Sequence, residues 1–359
     1  MKMAFYISSL GKGGAERVIA NLANYFAKKN QVTLILDTKK IDYKLDENIE
    51  LVILDHEHKS NFILKKIKFL KYVFKLKKIF KKYNPDIIIS FLAVPSFLAL
   101  LARNKKSKVL VSVRNDPNTE YTTLLKKYMM KFLYPKADGF VFQTQTAKEY
   151  FSNIIHSKQK IIYNAVSESF IQYEKEHIRI EDKRIVAVGR LHYQKNFQLL
   201  INSFAKVTEE FPEYKLYIYG EGEERSKLEK IIEEKKLDEK VFLAGNVDNV
   251  PKEIFNASLY VMSSDFEGMP NSLIEAMILG IPVISTNCPC GGPKELITND
   301  VNGMLVKIND EEGLVTSMKK VLSDDKFRKK MGIEGKKLIE KVNPSEINSQ
   351  WENFIKELL

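Results

Sequence analysis

Cysteine is scarce in this sequence, which contains only Cys288 and Cys290 among 359 residues. Two cysteines cannot form the disulfide framework of a small secreted protein. Because Pro289 alone separates them, they also lie too close along the chain for a relaxed bridge. No second pair of Cys or His stands at the spacing of a tetrahedral metal site. These absences exclude a disulfide-stabilised protein and a cysteine-based metal centre.

Long apolar runs and a secretory leader are also missing. No run approaches the ~20 apolar residues that span a bilayer. The opening residues, MKMAFYISSLGKGG, contain neither the apolar core nor the small-residue cleavage site of a signal peptide. We therefore expect a cytoplasmic protein.

Motifs that bind metals are equally sparse. The chain has five His and contains neither Asp-x-Asp nor His-Glu-x-x-His. The run Asp55-His56-Glu57-His58 could bind a metal, although a polar strand end explains it as well. We predict chemistry that needs neither a metal nor another cofactor.

The net charge of +11 comes from one segment. Residues 59–82 hold ten Lys and no acidic residue, and without these ten only 47 of the 57 basic residues remain, against 46 acidic ones. Because the rest of the chain is nearly neutral, the basic surface typical of nucleic-acid binding is missing. We expect no nucleic-acid partner.

The order of apolar runs predicts two α/β domains. Short runs of Val, Ile and Phe alternate with helical patterns along the whole chain, which is typical of doubly wound parallel sheets. At ~100–200 residues per domain, the length also favours two domains. Ranges predicted as strands in the first half are 4–8, 31–37, 49–55, 86–92, 108–114 and 138–144, and in the second half 184–191, 215–222, 241–247, 258–264, 282–286 and 302–306.

The predicted boundary between the domains is a hinge near residues 165–183, which contains the polar stretch 167–183. The first domain would cover residues 1–166 and the second residues 183–343, with a last helix at 344–359 that returns to the first domain. Ligands of such sheets bind beyond the carboxyl ends of the strands. Two Rossmann-like domains facing each other would therefore form a cleft lined by these loops.

The segment 265–277, DFEGMPNSLIEAM, offers the most informative group of polar residues. It follows a predicted strand and begins a helix near Pro270, where free N–H groups and the helix dipole suit a phosphate. Glu267 precedes that helix and Glu275 lies within it. The two carboxylates could accept hydrogen bonds from the sugars at either end of a diphosphate. Alternatively, Glu267 favours the helix dipole and Glu275 is an ordinary surface residue.

The chain resembles a known family through four motifs in order: SLGKGGAER at its start, GRLHYQKN at 189–196, YGEGEE at 219–224 and EGMPNSLIEAM at 267–277. It is similar to the retaining nucleotide-sugar glycosyltransferases with two Rossmann-like domains, the GT-B fold, of the bacterial lipopolysaccharide and capsule type called family 4. The resemblance covers the whole chain. It implies transfer of a sugar from a nucleoside-diphosphate donor, expected to be UDP-linked, to a hydroxyl of a glycan or a lipid-linked acceptor.

The resemblance also assigns roles to particular residues. It implies that Arg190 and Lys195 bind the donor diphosphate, that Glu267 contacts the transferred sugar, and that Glu275 holds the ribose. An Arg fork and a Lys point charge suit a leaving diphosphate, although an ordinary solvated basic loop would look the same in isolation. The other donor-binding candidates are Gly13, Gly14, Val247, Gly268, Met269, Pro270, Asn271, Ser272 and Leu273.

The run Arg114-Asn115-Asp116 stands at the end of a predicted strand of the first domain. Family members commonly carry a His or another polar residue there, close to the sugar, so Asn115 is the nearest match and a candidate catalytic residue. Asp116 could assist deprotonation of the acceptor, but an N-cap before Pro117 explains it at least as well. Cys288 and Cys290 receive no catalytic role.

The basic segment is predicted to be an amphipathic helix. Its lysines could face an anionic membrane surface or a polyprenyl-diphosphate acceptor while its apolar residues pack inward. A normal Rossmann helix with solvated lysines is the structural alternative. We expect peripheral association with the inner face of the cell membrane through Lys68, Lys71, Lys75, Lys78 and Lys82.

Three other functions remain open from the sequence. A nucleotide-sugar epimerase with two Rossmann-like domains would release free nucleotide without an acceptor. A dinucleotide oxidoreductase would bind NAD, although the loop at residues 11–17 is not the expected fingerprint. A non-catalytic sugar-nucleotide-binding subunit of a membrane glycan-assembly complex would keep the donor site without turnover.

Overall fold

The computed structural model describes residues 1–11, 13–54 and 62–359, without the side chains of 62–68. The predicted metal alternative at Asp55–His58 therefore lies outside the described residues, as does the side chain of Lys68. The contacts divide the chain into two compact units. Unit 1 comprises Met1–Asn164 and Ile347–Leu359, and unit 2 comprises Ala165–Glu346.

Unit 1 contains a seven-stranded sheet in the order β3-β2-β1-β4-β5-β6-β7, with every pair parallel. Its strands are β1 Lys2–Ile7, β2 Gln31–Leu36, β3 Ile49–Ile53, β4 Ile87–Phe91, β5 Lys108–Ser112, β6 Gly139–Phe142 and β7 Lys158–Ile161. Its helices are α1 Gly14–Ala27, α2 Phe62–Tyr83, α3 Ala93–Ala102, α4 Pro117–Glu120, α5 Leu124–Leu133 and α6 Gln145–Tyr150. A 3-10 turn at Tyr134–Lys136 follows α5 directly.

Unit 2 contains a six-stranded parallel sheet in the order β10-β9-β8-β11-β12-β13. Its strands are β8 Arg184–Val188, β9 Lys215–Tyr219, β10 Val241–Gly245, β11 Leu259–Met262, β12 Val283–Thr286 and β13 Met304–Val306. Its helices are α7 Glu168–Glu176, α8 Phe197–Val207, α9 Arg225–Glu234, α10 Val250–Ile254, α11 Asn271–Ile278, α12 Gly292–Leu296, α13 Glu311–Ser323, α14 Asp325–Lys336 and α15 Ile339–Val342, with a 3-10 turn at Tyr193–Lys195.

The twelve runs predicted as strands all form strands. The structure differs from the sequence prediction at two other places, strand β7 and the predicted hinge. Strand β7 was not predicted, because its sequence KQKI is polar and pairs only with β6 at the edge of the sheet. The stretch interpreted as a hinge contains helix α7, whose polar residues are solvated while Phe170 is buried. This helix belongs to unit 2.

The last helix, α16 (Pro344–Leu358), supplies a buried face to unit 1. Trp351 is completely buried, and its ring stacks on Phe91 at the end of β4 with 6.1 Å between ring centroids. Burying an aromatic ring of this size contributes strongly to a core. The chain terminus therefore helps to shape the carboxyl edge of the unit 1 sheet.

Among the described residues, none of the helices combines the length and the apolar character that crossing a bilayer requires.

Candidate functional site

The carboxyl edge of the unit 2 sheet gathers the polar loops that follow β8, β11 and β12. Because β11 pairs with both β8 and β12 in parallel, the three loops leave the sheet on the same side. This edge is where open α/β sheets bind ligands.

The central contact at this edge joins Lys195 to Glu267. The Lys195 Nζ atom lies 2.6 Å from Glu267 Oε1, and the two side chains are only 17% and 12% exposed. Ser264 Oγ donates a second hydrogen bond to the same oxygen, at 3.0 Å. An ammonium and a carboxylate brought together in a mostly buried loop are typical of a site that handles polar or charged ligands.

Three hydrogen bonds hold the loop after β8 against the segment that follows β11. The Asp265 N–H donates to Gln194 O at 2.9 Å, and Gln194 Nε2 donates to Phe266 O at 2.8 Å. The Ser263 hydroxyl donates to Lys195 O at 2.8 Å. Since both ends of the ion pair are held by neighbouring residues, its geometry is fixed by the fold.

Asn196 turns the chain from the first of these loops into α8. Its φ of 44° and ψ of 47° place it in the left-handed region, which Asn tolerates better than most residues. Its side-chain oxygen caps α8 at Leu199 N, and its amide donates to Asp265 Oδ1 at 2.8 Å. One residue thus ends the lysine loop and ties it to the glutamate loop.

The loop after β12 supports the site from a third strand. The Thr286 hydroxyl donates to Ser264 O at 2.5 Å, and Cys288 Sγ donates to the same carbonyl at 3.3 Å. Burial, reinforced by the negative charge of Glu267, raises the pKa of the Cys288 thiol to about 12. Cys288 is therefore a neutral thiol that packs beneath the site.

Gly292 lets the loop after β12 approach the loop that carries Glu267. A Cβ atom at position 292 would lie 1.8 Å from the carbonyl oxygen of Gly268, so any larger residue would push the two loops apart. This close contact stands immediately before helix α11, in which Pro270 is the N-cap residue and offers no side-chain cap.

Helix α11 is half-buried at its first two residues, Asn271 and Ser272, and buried from Leu273 onward. Ser272 is half-buried and its Oγ accepts a hydrogen bond of 2.8 Å from the Tyr260 hydroxyl, whose pKa is raised by burial. Glu275 is only 5% exposed. The alternative that Glu275 is an ordinary surface residue is therefore wrong, because an acidic side chain is rarely buried without a specific requirement.

The remaining candidates of unit 2 spread along the same edge. Arg190 is exposed directly after β8, and Val247 is half-buried after β10. The other predicted donor contacts lie in the loop or the first turn of α11: Gly268 and Asn271 are half-buried, and Met269, Pro270 and Leu273 are buried.

In unit 1, Arg114 follows β5 and is 95% buried. Its Nε donates to Ser112 Oγ at 2.6 Å, and its Nη1 donates to Asn164 Oδ1 at 2.9 Å. The guanidinium lies between two rings, 4.7 Å from the centroid of Phe91 and 5.4 Å from that of Trp351. No acidic side chain among the described residues faces it, so burial alone lowers the pKa of Arg114 to about 9.

The two residues after Arg114 differ in their environment. Asn115 is exposed at the sheet edge. Asp116 is buried and caps α4, because its Oδ1 accepts the Asn118 N–H at 2.9 Å. The N-cap interpretation of Asp116 is thus confirmed.

The glycine loop of unit 1 is closed by a tyrosine. Gly13 N–H donates to the Tyr43 hydroxyl at 3.2 Å, and that hydroxyl donates to Gly13 O at 2.9 Å. Gly14 begins helix α1 directly afterwards. A phosphate that binds the Gly13 N–H would therefore have to replace Tyr43.

The prediction that the apolar residues of helix α2 pack inward holds in part. Leu76 and Phe80 are buried, together with Tyr72, whereas Leu70 and Phe74 are 58% and 63% exposed. The buried side carries a polar contact just beyond β2, where buried Asp37 accepts hydrogen bonds from both Tyr6 and Tyr72. Of the predicted lysines with described side chains, Lys71, Lys75, Lys78 and Lys82 are exposed, and Lys75 Nζ donates to Leu54 O at 2.6 Å.

Several residues that shape the site were not predicted: Gln194, Ser263, Ser264 and Thr286. Serine, threonine and glutamine are common in loops, so the sequence carries no signal that separates these four. Their position directly before or after predicted candidates, or at a strand end, is the only hint.

Where the structure is described, no group of three or more His, Cys, Asp or Glu side chains is arranged to hold a metal ion.

Comparison with protein families gives two matches that together span most of the chain. Residues 12–170 match the model described as Glycosyltransferase Family 4, and residues 170–338 match the model described as Glycosyl transferases group 1.

Two relatives from Campylobacter jejuni match nearly the whole chain. The first, N-acetylgalactosamine-N,N'-diacetylbacillosaminyl-diphospho-undecaprenol 4-alpha-N-acetylgalactosaminyltransferase, is 34% identical over 91% of this chain and 92% of its own length. The second, GalNAc-alpha-(1->4)-GalNAc-alpha-(1->3)-diNAcBac-PP-undecaprenol alpha-1,4-N-acetyl-D-galactosaminyltransferase, is 27% identical over 100% of this chain and 99% of its own.

Solved structures share the fold. Sucrose-phosphate synthase from Thermosynechococcus elongatus superposes with a TM-score of 0.82 at 18% identity and covers 100% of this chain and 99% of its own. The lipopolysaccharide outer core galactosyltransferase WaaB superposes with a TM-score of 0.79 at 23% identity, and the match covers both chains completely.

Proposed function

The chain is a member of the glycosyltransferases, to which both models and the 34% identical Campylobacter relative belong, and we propose that it transfers a sugar from a UDP-linked donor to a lipid-linked glycan with retention of anomeric configuration. The ion pair of Lys195 and Glu267 at the carboxyl edge of the unit 2 sheet carries this proposal. The uridine base, the retention and the residue roles are expectations from the family resemblance.

Lys195 takes the donor diphosphate in this proposal. An incoming diphosphate offers the ammonium a stronger counter-charge than a single carboxylate, so it would draw Lys195 away from Glu267. Glu267, still held by Ser264 Oγ, would then accept hydrogen bonds from the hydroxyls of the sugar. The ion pair thus keeps both groups in place until the donor arrives.

The remaining donor contacts in this proposal come from the other loops at the carboxyl edge of the unit 2 sheet and from helix α11. Arg190, exposed after β8, adds positive charge to the diphosphate. The first turn of α11, at Asn271 and Ser272, offers backbone N–H groups to phosphate oxygens. Buried Glu275 binds the ribose hydroxyls, and the backbone near Val247 contacts the base.

The proposed reaction is a substitution on one face of the sugar. The acceptor oxygen forms a bond to the anomeric carbon as the bond from that carbon to the β-phosphate oxygen breaks. A phosphate oxygen of the donor takes the proton of the acceptor hydroxyl, and the nucleoside diphosphate leaves. Lys195 and Arg190 stabilise its charge, so the proposal needs no metal and no further cofactor.

Unit 1 would hold the acceptor. Both Campylobacter relatives are named for undecaprenol-diphosphate-linked substrates, and we extend that chemical class, though not the particular glycan, to this chain. Exposed Lys71, Lys78 and Lys82 of α2 would attract the acceptor diphosphate or anionic phospholipid at the cytoplasmic face of the membrane. Asn115, Gly13 and Gly14 stay predictions for contacts near the transferred sugar.

A thermal-shift panel tests the donor assignment. The protein is heated with UDP-, GDP-, ADP- and dTDP-linked sugars and with NAD, without added metal. A ligand at 100 times its dissociation constant stabilises the fold by about 2.7 kcal/mol, so a bound donor should raise the melting temperature clearly. We expect a response to UDP-sugars that is reduced in Arg190→Ala.

Other results of this panel separate the alternatives. A response to NAD and to no sugar nucleotide would overturn the proposal. A response to UDP-sugars with no transfer to any lipid-linked acceptor would favour the non-catalytic subunit, and release of altered sugar nucleotide without acceptor would favour the epimerase.

A further inference from the structure

Helix α5 of unit 1 exposes the residues that an ordinary surface helix buries. Only Met130 and Leu133 of its ten residues are buried. Leu124, Leu125, Tyr128 and Phe132 are 86%, 69%, 72% and 59% exposed. Single exposed apolar residues are common on protein surfaces, but four on one short helix form a patch that is typical of an interaction site.

The four exposed residues share one side of the helix. At about 100° per residue, positions 124, 128, 132 and 125 fall within an arc of about 100°. An open groove beside the helix continues the patch past Tyr150 and Ile154. The patch, Leu124, Leu125, Tyr128 and Phe132, is called the α5 apolar face below.

Lysines border the α5 apolar face. Residues 121–137 contain four Lys and no acidic residue. Exposed Lys127 and Lys131 stand beside the face on the same helix. Lys136, on the turn that follows, lies over the ring of Phe132 with its Nζ 3.8 Å from the ring centroid. An apolar strip edged by cations matches an anionic lipid surface, where hydrocarbon lies directly beneath negative headgroups.

The neighbouring surface has the same character. Helices α2 and α5 both pack against α3, and because parallel crossovers are right-handed, the three lie on one face of the unit 1 sheet. Helix α2 exposes Leu70 and Phe74 between its lysines. Helix α3 exposes Val94 and Leu101. Apolar and basic residues thus continue from α5 toward α2.

We propose that the α5 apolar face inserts into the headgroup region of an anionic bilayer and holds unit 1 on the membrane. This deepens the peripheral association in the proposed function, which named only the lysines of α2. The lysines supply attraction that salt screens, whereas Leu124, Leu125, Tyr128 and Phe132 supply burial of apolar surface. Binding should therefore need both anionic lipid and this face.

Vesicle flotation of the full chain tests the proposal. Wild type and Leu124→Ser/Leu125→Ser are mixed with phosphatidylcholine vesicles, with or without phosphatidylglycerol. We expect wild type to float only with the anionic vesicles and the double variant to bind at least about tenfold more weakly, since each buried Leu is worth about tenfold in partition. Lys127→Glu/Lys131→Glu should lose more than about tenfold.

The matched control is Ile178→Ser/Ile180→Ser, which removes two exposed apolar side chains, 89% and 73% exposed, from unit 2. This variant should float like wild type. Tyr128→Trp gives a local readout, because brominated lipid should quench the introduced indole while completely buried Trp351 stays unquenched. Both measurements report on α5 without reference to catalysis.

Three outcomes would overturn the inference. The first is flotation of Leu124→Ser/Leu125→Ser at wild-type level, and the second is an unquenched indole at position 128. The third is a wild-type dimer in light scattering that dissociates to monomers in the double variant while vesicle binding persists. That result would assign the face to a second copy of the chain.

Transfer of sugar to a detergent-solubilised acceptor distinguishes the membrane proposal from the transferase proposal. The transfer rate should be equal in wild type and the double variant. Absence of transfer in both would refute the transferase proposal alone.

Discussion

Lys195 Nζ and Glu267 Oε1 lie 2.6 Å apart although the two residues are 72 positions apart along the chain. They meet because each follows a strand, β8 or β11, and these two strands are neighbours in a parallel sheet. Ser263 and Gln194 hold the two loops together around the pair. The sheet therefore delivers a cation and a carboxylate to one place before any ligand binds.

Replacing Lys195 by Met should weaken donor binding while preserving the fold. Methionine keeps the stem that passes over Gly189, and Glu267 keeps its bond from Ser264 Oγ. A hydrogen bond to a charged group is worth about 1.5–3 kcal/mol, so the affinity for UDP should fall at least about tenfold in calorimetry. Lys206→Met, which removes another Lys–Glu pair of unit 2, is the control and should bind UDP normally. Equal UDP affinity in wild type and Lys195→Met would remove Lys195 from the donor site.

Replacing Arg114 by Met should leave the protein at least as stable as wild type. The Arg114 guanidinium is buried without an acidic partner among the described residues. In addition, its Nη2 atom has no hydrogen-bond acceptor among them. A neutral side chain between Phe91 and Trp351 avoids the cost of desolvating that charge. Calorimetric melting compares this variant with Arg103→Met, which loses a partly exposed ion pair to Asp138 worth up to about 1 kcal/mol. A loss above about 3 kcal/mol in Arg114→Met alone would show that the charge itself stabilises the fold.

Replacing Tyr72 by Phe should destabilise unit 1. The carboxylate of Asp37 is buried and accepts hydrogen bonds from Tyr6 and Tyr72, whose pKa values are both raised by burial beside it. Loss of one donor should lower the free energy of unfolding by about 1–3 kcal/mol in urea titrations. Tyr83→Phe removes an exposed hydrogen bond to Glu50 and should cost much less. If the two variants unfold at the same urea concentration, the Asp37 cluster does not anchor α2.

The Cys288 thiol should stay unreactive in the folded protein at mildly alkaline pH. Its pKa is about 12 in the folded state, against about 8.5 for a free thiol. Between these values the folded protein keeps a proton that the unfolded chain loses, so this group lowers the free energy of unfolding as the pH rises. Alkylation of Cys290→Ala, in which Cys288 is the only thiol, should be slow in buffer and fast in urea. Equal rates would contradict the burial of Cys288.

Much of the fold could be predicted because β-branched and aromatic runs are hard to mistake for anything but strands. The predicted GT-B fold of two α/β units is confirmed by the family models and the structural neighbours. Predicted strands mostly ended too late: residues 184–191 were interpreted as one strand, but β8 ends at Val188. The chain bends at Gly189, but Leu191 beyond the bend is also buried, so the hydrophobic pattern does not mark the end of the strand.

The exposed sides of helices were the least predictable feature. Apolar residues lie on more than one side of α2, and the buried side is the one on which Tyr72 donates to Asp37. The exposed side of helix α5 was equally hard to predict, because leucine is the residue type expected in a core and yet Leu124 and Leu125 are exposed. For the site, Lys195 and Glu267 could be found because strand ends converge, whereas Ser264 and Gln194 became recognisable only through their contacts.

The central claim is that Glu267 acts on the transferred sugar. The most direct test measures transfer of radiolabelled sugar from a UDP-sugar to a polyprenyl-diphosphate-linked acceptor by wild type, Glu267→Gln and Glu312→Gln, the last being an exposed glutamate of the same unit. We predict that Glu267→Gln loses at least about 100-fold in kcat/KM, melts within a few degrees of wild type and still binds UDP, while Glu312→Gln retains full transfer. Full transfer by Glu267→Gln would contradict the assignment of this site.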